Sequence, residues 1–294
     1  ERSVPQALTK SLMDIHPREL KGIVKEIPTL PAIYHKLFKM MKDPDVTASA
    51  IAEVISMDQA LSVKILHLVN SAFYGYSKEI KTISRAVVIL GFRAVRSAAL
   101  AISVFDFFED EESHHIDMLK FWEHSIAVAT ICKVIAEAAR INQQEEAFVV
   151  GLLHDVGKLI EKRYFPEDFN EVINAAQEQH LTWIDTEKAL FQINHASIGK
   201  VVFRTWDFPP SVVDAVQFHH NPESSTKFPQ LTALVHIADF ISAELGYGSP
   251  GAFPSRDVNP EAIKLLGLSV DEIRGLEETI REELEVSMEI LKLV

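Results

Sequence analysis

Apolar residues recur every three or four positions along most of this chain, the period of helices that turn one side to a core. After Pro28-Thr29-Leu30-Pro31, where Pro31 suits an early helical position, the first face is Leu30, Ile33, Leu37 and Met40 or Met41. Asp43-Pro44-Asp45 breaks it. Ile51, Val54 and Ile55 form the next face, and Leu61, Ile65, Leu68 and Val69 a third, with Asp58 placed as its N-cap. Asn70-Ser71 and Gly75 supply turn chemistry. A short helix over 83–90 is stopped by Gly91, and the segment 95–108 is apolar on nearly every side, which predicts central burial. The acidic stretch Glu109 to Glu112 with Ser113 reads as a solvated connection. Beyond it, helices are predicted over 117–140, 144–155, 166–180, 185–205, 210–220 and 229–245. Ser211 to Asp214, after Pro209-Pro210, resembles a capping box. A Gly-, Pro- and Ser-rich loop runs from Gly246 to Pro260, and a short helix starts at Asn259-Pro260-Glu261. Ser269 and Glu272 then form a capping box that opens a last acidic helix through Leu293. Its stripe of Ile273, Leu276, Ile280, Leu284, Met288 and Leu291 either packs back on the domain or meets another chain. With no strand pairs or internal repeats, the predicted fold is all-α. It is a two-part helical bundle with a C-terminal extension, divided as 1–110, 111–246 and 247–294.

The 294 residues are 47% apolar and 24% charged, enough for a sizeable core. A net charge of −13 argues against a nucleic-acid surface. No run reaches the roughly 18 apolar residues of a membrane span, and Glu1-Arg2-Ser3-Val4-Pro5 has no signal-peptide pattern. A soluble cytoplasmic protein is expected. The single cysteine, Cys132, lies among Val128, Ile131 and Ile135, so it reads as core packing.

Candidate chemistry lies in the middle of the chain. His124, the pair His154-Asp155, His195, the doublet His219-His220 and Asp239 each sit within or at the end of a separate apolar segment. Imidazole and carboxylate are ligands for Fe, Mn, Zn or Ni, and a carboxylate can bridge two such ions. Converged, these seven side chains suffice for two divalent ions with positions left open, which suits the hydrolysis of phosphate esters. In Gly151-Leu152-Leu153-His154-Asp155-Val156-Gly157-Lys158 an apolar helix ends in His-Asp, Gly157 permits a tight exit, and Lys158 could hold a phosphate oxygen as a point charge. The same residues, like His219-His220, also suit a helix C-terminus without any metal. Asp239, set among Val235, Ile237, Ala238 and Phe240, needs a cation near it if buried, whether a metal or a basic side chain. His236, three residues before it, is a candidate partner behind the ligands.

The order His, His-Asp, His, His-His, Asp resembles the HD superfamily of metal-dependent phosphohydrolases. Ile27-Pro28-Thr29-Leu30-Pro31, Asp43-Pro44, Val54 to Asp58, Leu68 to Tyr74, Val88-Ile89-Leu90-Gly91, Phe121 to Ser125 and Gly151 to Lys158 are together similar to the HDOD (HD-related output) domain, over about Gly22 to Gly246. The resemblance implies an all-α bundle in two halves at the output end of bacterial signalling, with other signalling proteins or domains as partners. It also implies one ion on His124, His154, Asp155 and Asp239, and a second on Asp155, His195, His219 and His220, with Asp155 and Lys158 as the residues of any catalysis. No Gly-Tyr-Pro segment follows His219-His220, so cyclic-di-GMP hydrolysis as in the HD-GYP branch is not expected. Lys120 stands where a Glu would support a third metal. The expectation is a signal-transduction output module retaining a dinuclear site. The alternatives are a phosphohydrolase acting on a nucleotide-like phosphate ester and a helical scaffold without metal.

Overall fold

The structure, a computed structural model, describes residues 11–24, 27, 36, 37, 40, 46–70, 78–108, 117–248, 250–253, 257–288 and 291. The Pro28–Pro31 entry with Leu30 and Ile33, the Asp43–Asp45 break, Ser71, Gly75 and the acidic connection Glu109–Ser113 lie outside the described residues. The rest is helical, as the periodicity predicts; the one β-bridge among the described residues is Thr182 with Phe253.

A 3-10 turn (Leu12–Asp14) and α1 (Leu20–Val24) come first. Next are α2 (Ala48–Ser56) and α3 (Gln59–Val69), where Asp58 caps α3 by accepting from Leu61 N–H at 3.0 Å. Both pack on α4 (Ile83–Phe108), and Lys64 pairs with Asp106 to tie α3 to α4. Gly91 interrupts α4 with φ 82° and ψ 160°, a conformation outside the helical region. The expected stop is present: the helix over 83–90 ends at Gly91, and a second one continues from it across a kink to Phe108. A residue with a Cβ adopts such a φ only under strain.

The second half is built around α5 (Met118–Ala138) and α6 (Gln144–Leu153), the most extensively packed pair. Phe121, Ile126, Val128, Ile131 and Cys132 of α5 are fully buried, so apolar side chains face neighbours all round the helix. Cys132 is core, as read, and burial pushes its thiol up. α6 also contacts α4, which joins the halves. Then come α7 (Val156–Tyr164), α8 (Pro166–Gln179), α9 (Trp183–Leu190), α10 (His195–Thr205), α11 (Pro210–Phe218) and α12 (Pro229–Glu244). The last three are α13 (Pro260–Leu266), α14 (Val270–Arg274) and α15 (Glu277–Ser287).

Four local readings change. The segment 144–155 is not followed by an exit loop: α7 restarts at Val156, and Gly157 lies inside it. A Cβ there would stand 1.9 Å from the His195 carbonyl oxygen, so this glycine serves close approach of α7 to α10 rather than a turn. The predicted helix 185–205 is two, because Asn194 caps α10 by accepting from Ser197 N–H. Ser211 and Asp214 do not cap α11, whose N-cap is Pro209; Ser211 bonds Glu146 and Asp214 accepts from Ser225 Oγ. The Ser269–Glu272 capping box is present, but the acidic helix breaks at Gly275. Its stripe packs back on α5, with Ile280 and Leu284 buried, which is the intramolecular of the two expected outcomes.

The N-terminal segment belongs spatially to the second half. Asp168 of α8 accepts from Ser11 Oγ at 2.6 Å and from Leu12 N–H at 2.8 Å, and α1 packs on α10. Among the described residues no helix is long and apolar enough to cross a membrane.

Candidate metal centre

The centre is assembled from helix ends. His154 and Asp155 form the break between α6 and α7, His195 is the first residue of α10, and His219 and His220 follow the last residue of α11. His124 comes from the second turn of α5 and Asp239 from the middle of α12. All seven side chains singled out in the sequence converge. Two groups emerge, each with its ligand atoms within 4.8 Å of one another: His124, His154 and Asp155, and Asp155, His195, His219 and His220. Asp155 belongs to both. Its Oδ2 lies 3.6 Å from Nε2 of both His124 and His154, while Oδ1 faces Nε2 of His195 at 3.3 Å and of His219 at 3.9 Å. Asp239 stands at the edge of the first group, 3.4 Å from His124 Nε2 and 4.0 Å from His154 Nε2, and is partly exposed.

The imidazoles are aimed. His124 Nδ1 lies 2.7 Å from the Tyr247 carbonyl, His154 Nδ1 2.7 Å from Gly151 O, and His219 Nδ1 2.7 Å from Val216 O. His195 Nδ1 lies 2.7 Å from Glu187 Oε2. A ring nitrogen facing such an oxygen carries the proton, which in the neutral ring leaves the lone pair on Nε2. Those Nε2 atoms confront one another, His124 with His154 at 3.3 Å and His195 with His219 at 3.3 Å. His220 Nε2 closes on His195 Nε2 at 3.0 Å. Two lone pairs at this distance repel, and a cation between them converts the contact into coordination. The donor set thus fits divalent transition ions.

Burial, with His154 and His195 nearby, pushes His219 well below the ordinary imidazole range. Burial and then His219 and His195 do the same to His220, and burial lowers His154 against the pull of Asp155 and Asp239. These rings stay neutral, the form that ligates. Burial opposes the charge on Asp155, but Lys158 and the surrounding histidines outweigh it and hold the carboxyl well below its usual range. Lys158 Nζ donates to Asp155 Oδ2 at 2.5 Å and lies 5.4 Å from the Trp183 ring centroid.

Several contributors were not legible. Glu187 is fully buried behind His195, and Trp183 Nε1 donates to its Oε1 at 3.1 Å. The available signal was an acid at i+4 from Trp183 on the apolar side of a helix. Glu161, also buried, is pushed well above the ordinary carboxyl range by burial and then by Glu187. His236 lies behind the cluster, with its Nδ1 2.8 Å from the His219 backbone carbonyl, and its Nε2 accepts from Asn259 N–H at 3.0 Å. A cavity of about 210 Å³ opens over the cluster, with Lys158, His220, Asp239, Lys188, Phe240 and Phe253 in its wall. Two basic side chains of the same helix as Lys158 are placed otherwise: Arg163 lies against Tyr164 and Lys162 is buried in α7.

A family model for the HDOD domain matches residues 27–222. Among solved structures, an HDOD domain protein from Geobacter sulfurreducens superposes with a TM-score of 0.81 at 28% identity, over 93% of this chain and 96% of the other. A candidate phosphohydrolase from Shewanella amazonensis SB2B gives a TM-score of 0.76 at 29% identity, over 95% and 98%. An uncharacterised protein from Treponema pallidum is 26% identical over 233 residues, 76% of this chain and 44% of its own length. This chain spans less than half the length of the curated relatives it matches.

Proposed function

The chain belongs to the HDOD domain family, and on that premise we propose that it is a signal-transduction output module built round an HD-type centre for two cations. One observation carries the reading: imidazoles locked by their Nδ1 contacts turn Nε2 lone pairs against one another around a shared carboxylate. His124, His154, Asp155 and Asp239 would hold one ion, and Asp155, His195, His219 and His220 the other. Bound there, Fe, Mn, Zn or Ni would supply Lewis acidity. Other signalling proteins or domains are the partners of such a module, and its proposed organisation is the division 1–110, 111–246 and 247–294, with residues 11–24 packed on the second part. Metal content of the chain purified without chelator or histidine tag tests the centre. About two equivalents are expected, and Asp155→Ala should lose most of both; equal metal in the two proteins would refute it.

The cavity above the cluster favours a second reading, a phosphohydrolase. Lys158 stands in its wall beside His220 and Asp239, placed to draw in a phosphate oxygen, and Asp155 holds that ammonium in position. About 210 Å³ lies below the roughly 300–1,000 Å³ of sites for drug-sized ligands, so a small phosphate monoester suits it and a cyclic dinucleotide does not. Hydrolysis of aryl phosphates that disappears in Asp155→Ala would establish this reading. Its absence at full metal loading would leave the module alone.

A further inference from the structure

The four locked imidazoles are not locked alike. His154 and His219 each follow a helix C-terminus, where carbonyls without a helical N–H partner are at hand, and each ring turns back to the oxygen three residues earlier, Gly151 O or Val216 O. His124 uses the Tyr247 carbonyl. His195 instead opens a helix, so no helical carbonyl precedes it. Its acceptor arrives from a different element. Glu187 of α9 brings Oε2 to 2.7 Å from His195 Nδ1, while Oε1 accepts from the His195 backbone N–H at 2.8 Å and from the Trp183 indole N–H at 3.1 Å. Three N–H groups from two helices converge on one carboxyl group that is itself fully buried.

We propose that Glu187 is a positioning residue for the cation of the Asp155, His195, His219 and His220 group. It fixes the His195 tautomer with the lone pair on Nε2 and backs that ring with a charge the other three locked imidazoles lack. A carboxylate behind a ligating imidazole orients the ring and raises its basicity, and removing one typically weakens metal binding 10–100-fold. The two cation positions are therefore unequal: one is backed by neutral oxygens alone, the Tyr247 and Gly151 carbonyls and the Ser242 hydroxyl, the other by a buried acid as well. The inference rests on the two-cation reading above.

Glu187→Gln is close to isosteric but cannot accept through both ends of its head group, so either the ring or the backbone N–H of His195 faces an amide NH2. Chelator-stripped wild type and variant are titrated with Co²⁺, following the visible absorption that reports its ligand field. Wild type should take two equivalents. In the variant one step should weaken about 10–100-fold, with an altered spectrum for that step alone, while the stripped protein melts as wild type does. Glu187→Asp, which keeps the charge, should recover part of the loss. A purely structural acid would shift the melt and leave both binding steps alike. Two steps indistinguishable from wild type overturn the proposal and leave the centre standing; a wild type that takes no Co²⁺ overturns both. One measurement needs no variant: long-range ¹H–¹⁵N spectra of the stripped wild type should show His195 as the Nδ1–H tautomer, and the Nε2–H tautomer would overturn the assignment.

Discussion

Substituting Gly157 by alanine should unseat one half of the centre without altering any ligand side chain. The added Cβ would meet only backbone: His195 O at 1.9 Å, His195 C at 2.6 Å and His195 Cα at 2.9 Å. An unstrained C···O contact needs about 3.3 Å, so α7 and α10 must part locally by about 1.4 Å. Metal–ligand distances tolerate only about 0.2 Å, so His195 leaves ligating range, while His124, His154 and Asp239 keep their places. Two energies compete. Alanine favours a helix interior over glycine by about 1 kcal/mol, whereas forcing a group into a packed contact costs about 1–3 kcal/mol, at the upper end when the obstacle is backbone. The clash wins by about 1–2 kcal/mol, a fall in Tm of about 2–8 °C. Gly199→Ala is the control: its Cβ meets Val216 Cγ1 at 2.9 Å, a side chain that can give, and its melt should move little. The assay is a circular-dichroism melt in chelator, followed by metal titration. Gly157→Ala should hold one equivalent instead of two. An unchanged melt with both equivalents retained would refute the close-approach argument.

Acidification should destabilise the metal-free chain. Burial holds His154, His219 and His220 below the ordinary 6.5, so the neutral rings contribute fully above that pH. Their contribution falls as pH drops through 6.5, by up to about 1.4 kcal/mol per pH unit for each ring. Glu161, held well above its ordinary 4.5, acts in the opposite sense as pH rises past 4.5, so in a comparison of pH 5.5 with pH 7.5 Glu161→Gln should steepen the fall. Urea midpoints at the two pH values decide, and equal midpoints in both proteins would refute the burial argument. Asp168→Ala leaves the buried Leu12 N–H without its acceptor, a loss of about 1–3 kcal/mol, and should speed hydrogen exchange at that amide; unchanged protection would contradict the clasp.

What was legible in the chain followed from local chemistry. Helix faces repeat at a fixed period, and His154-Asp155 or His219-His220 at the end of an apolar run is unusual enough to stand out. What was hidden depended on breaks set by tertiary packing. Read as one helix over 185–205, Glu187 and His195 would stand about 12 Å apart along the axis. The real break at residues 191–194, marked only by the Asn194 cap, folds them into a 2.7 Å hydrogen bond. Likewise the end at His154-Asp155 was legible but the restart was not: Asp155, at φ −96° and ψ 5°, is the N-cap of α7 and makes no side-chain capping bond that would announce a new helix.

Asp168 makes a contiguous cut through this chain a poor way to isolate its metal-bearing part. A fragment beginning at residue 117 would keep every candidate ligand yet lose the two neutral donors, Ser11 Oγ and Leu12 N–H, that this carboxylate accepts from, and with them α1 against α10. The packed metal-bearing part is discontinuous in sequence: residues 11–24 reach it from beyond the first bundle, so the two bundles are stitched together at both ends of the intervening polypeptide.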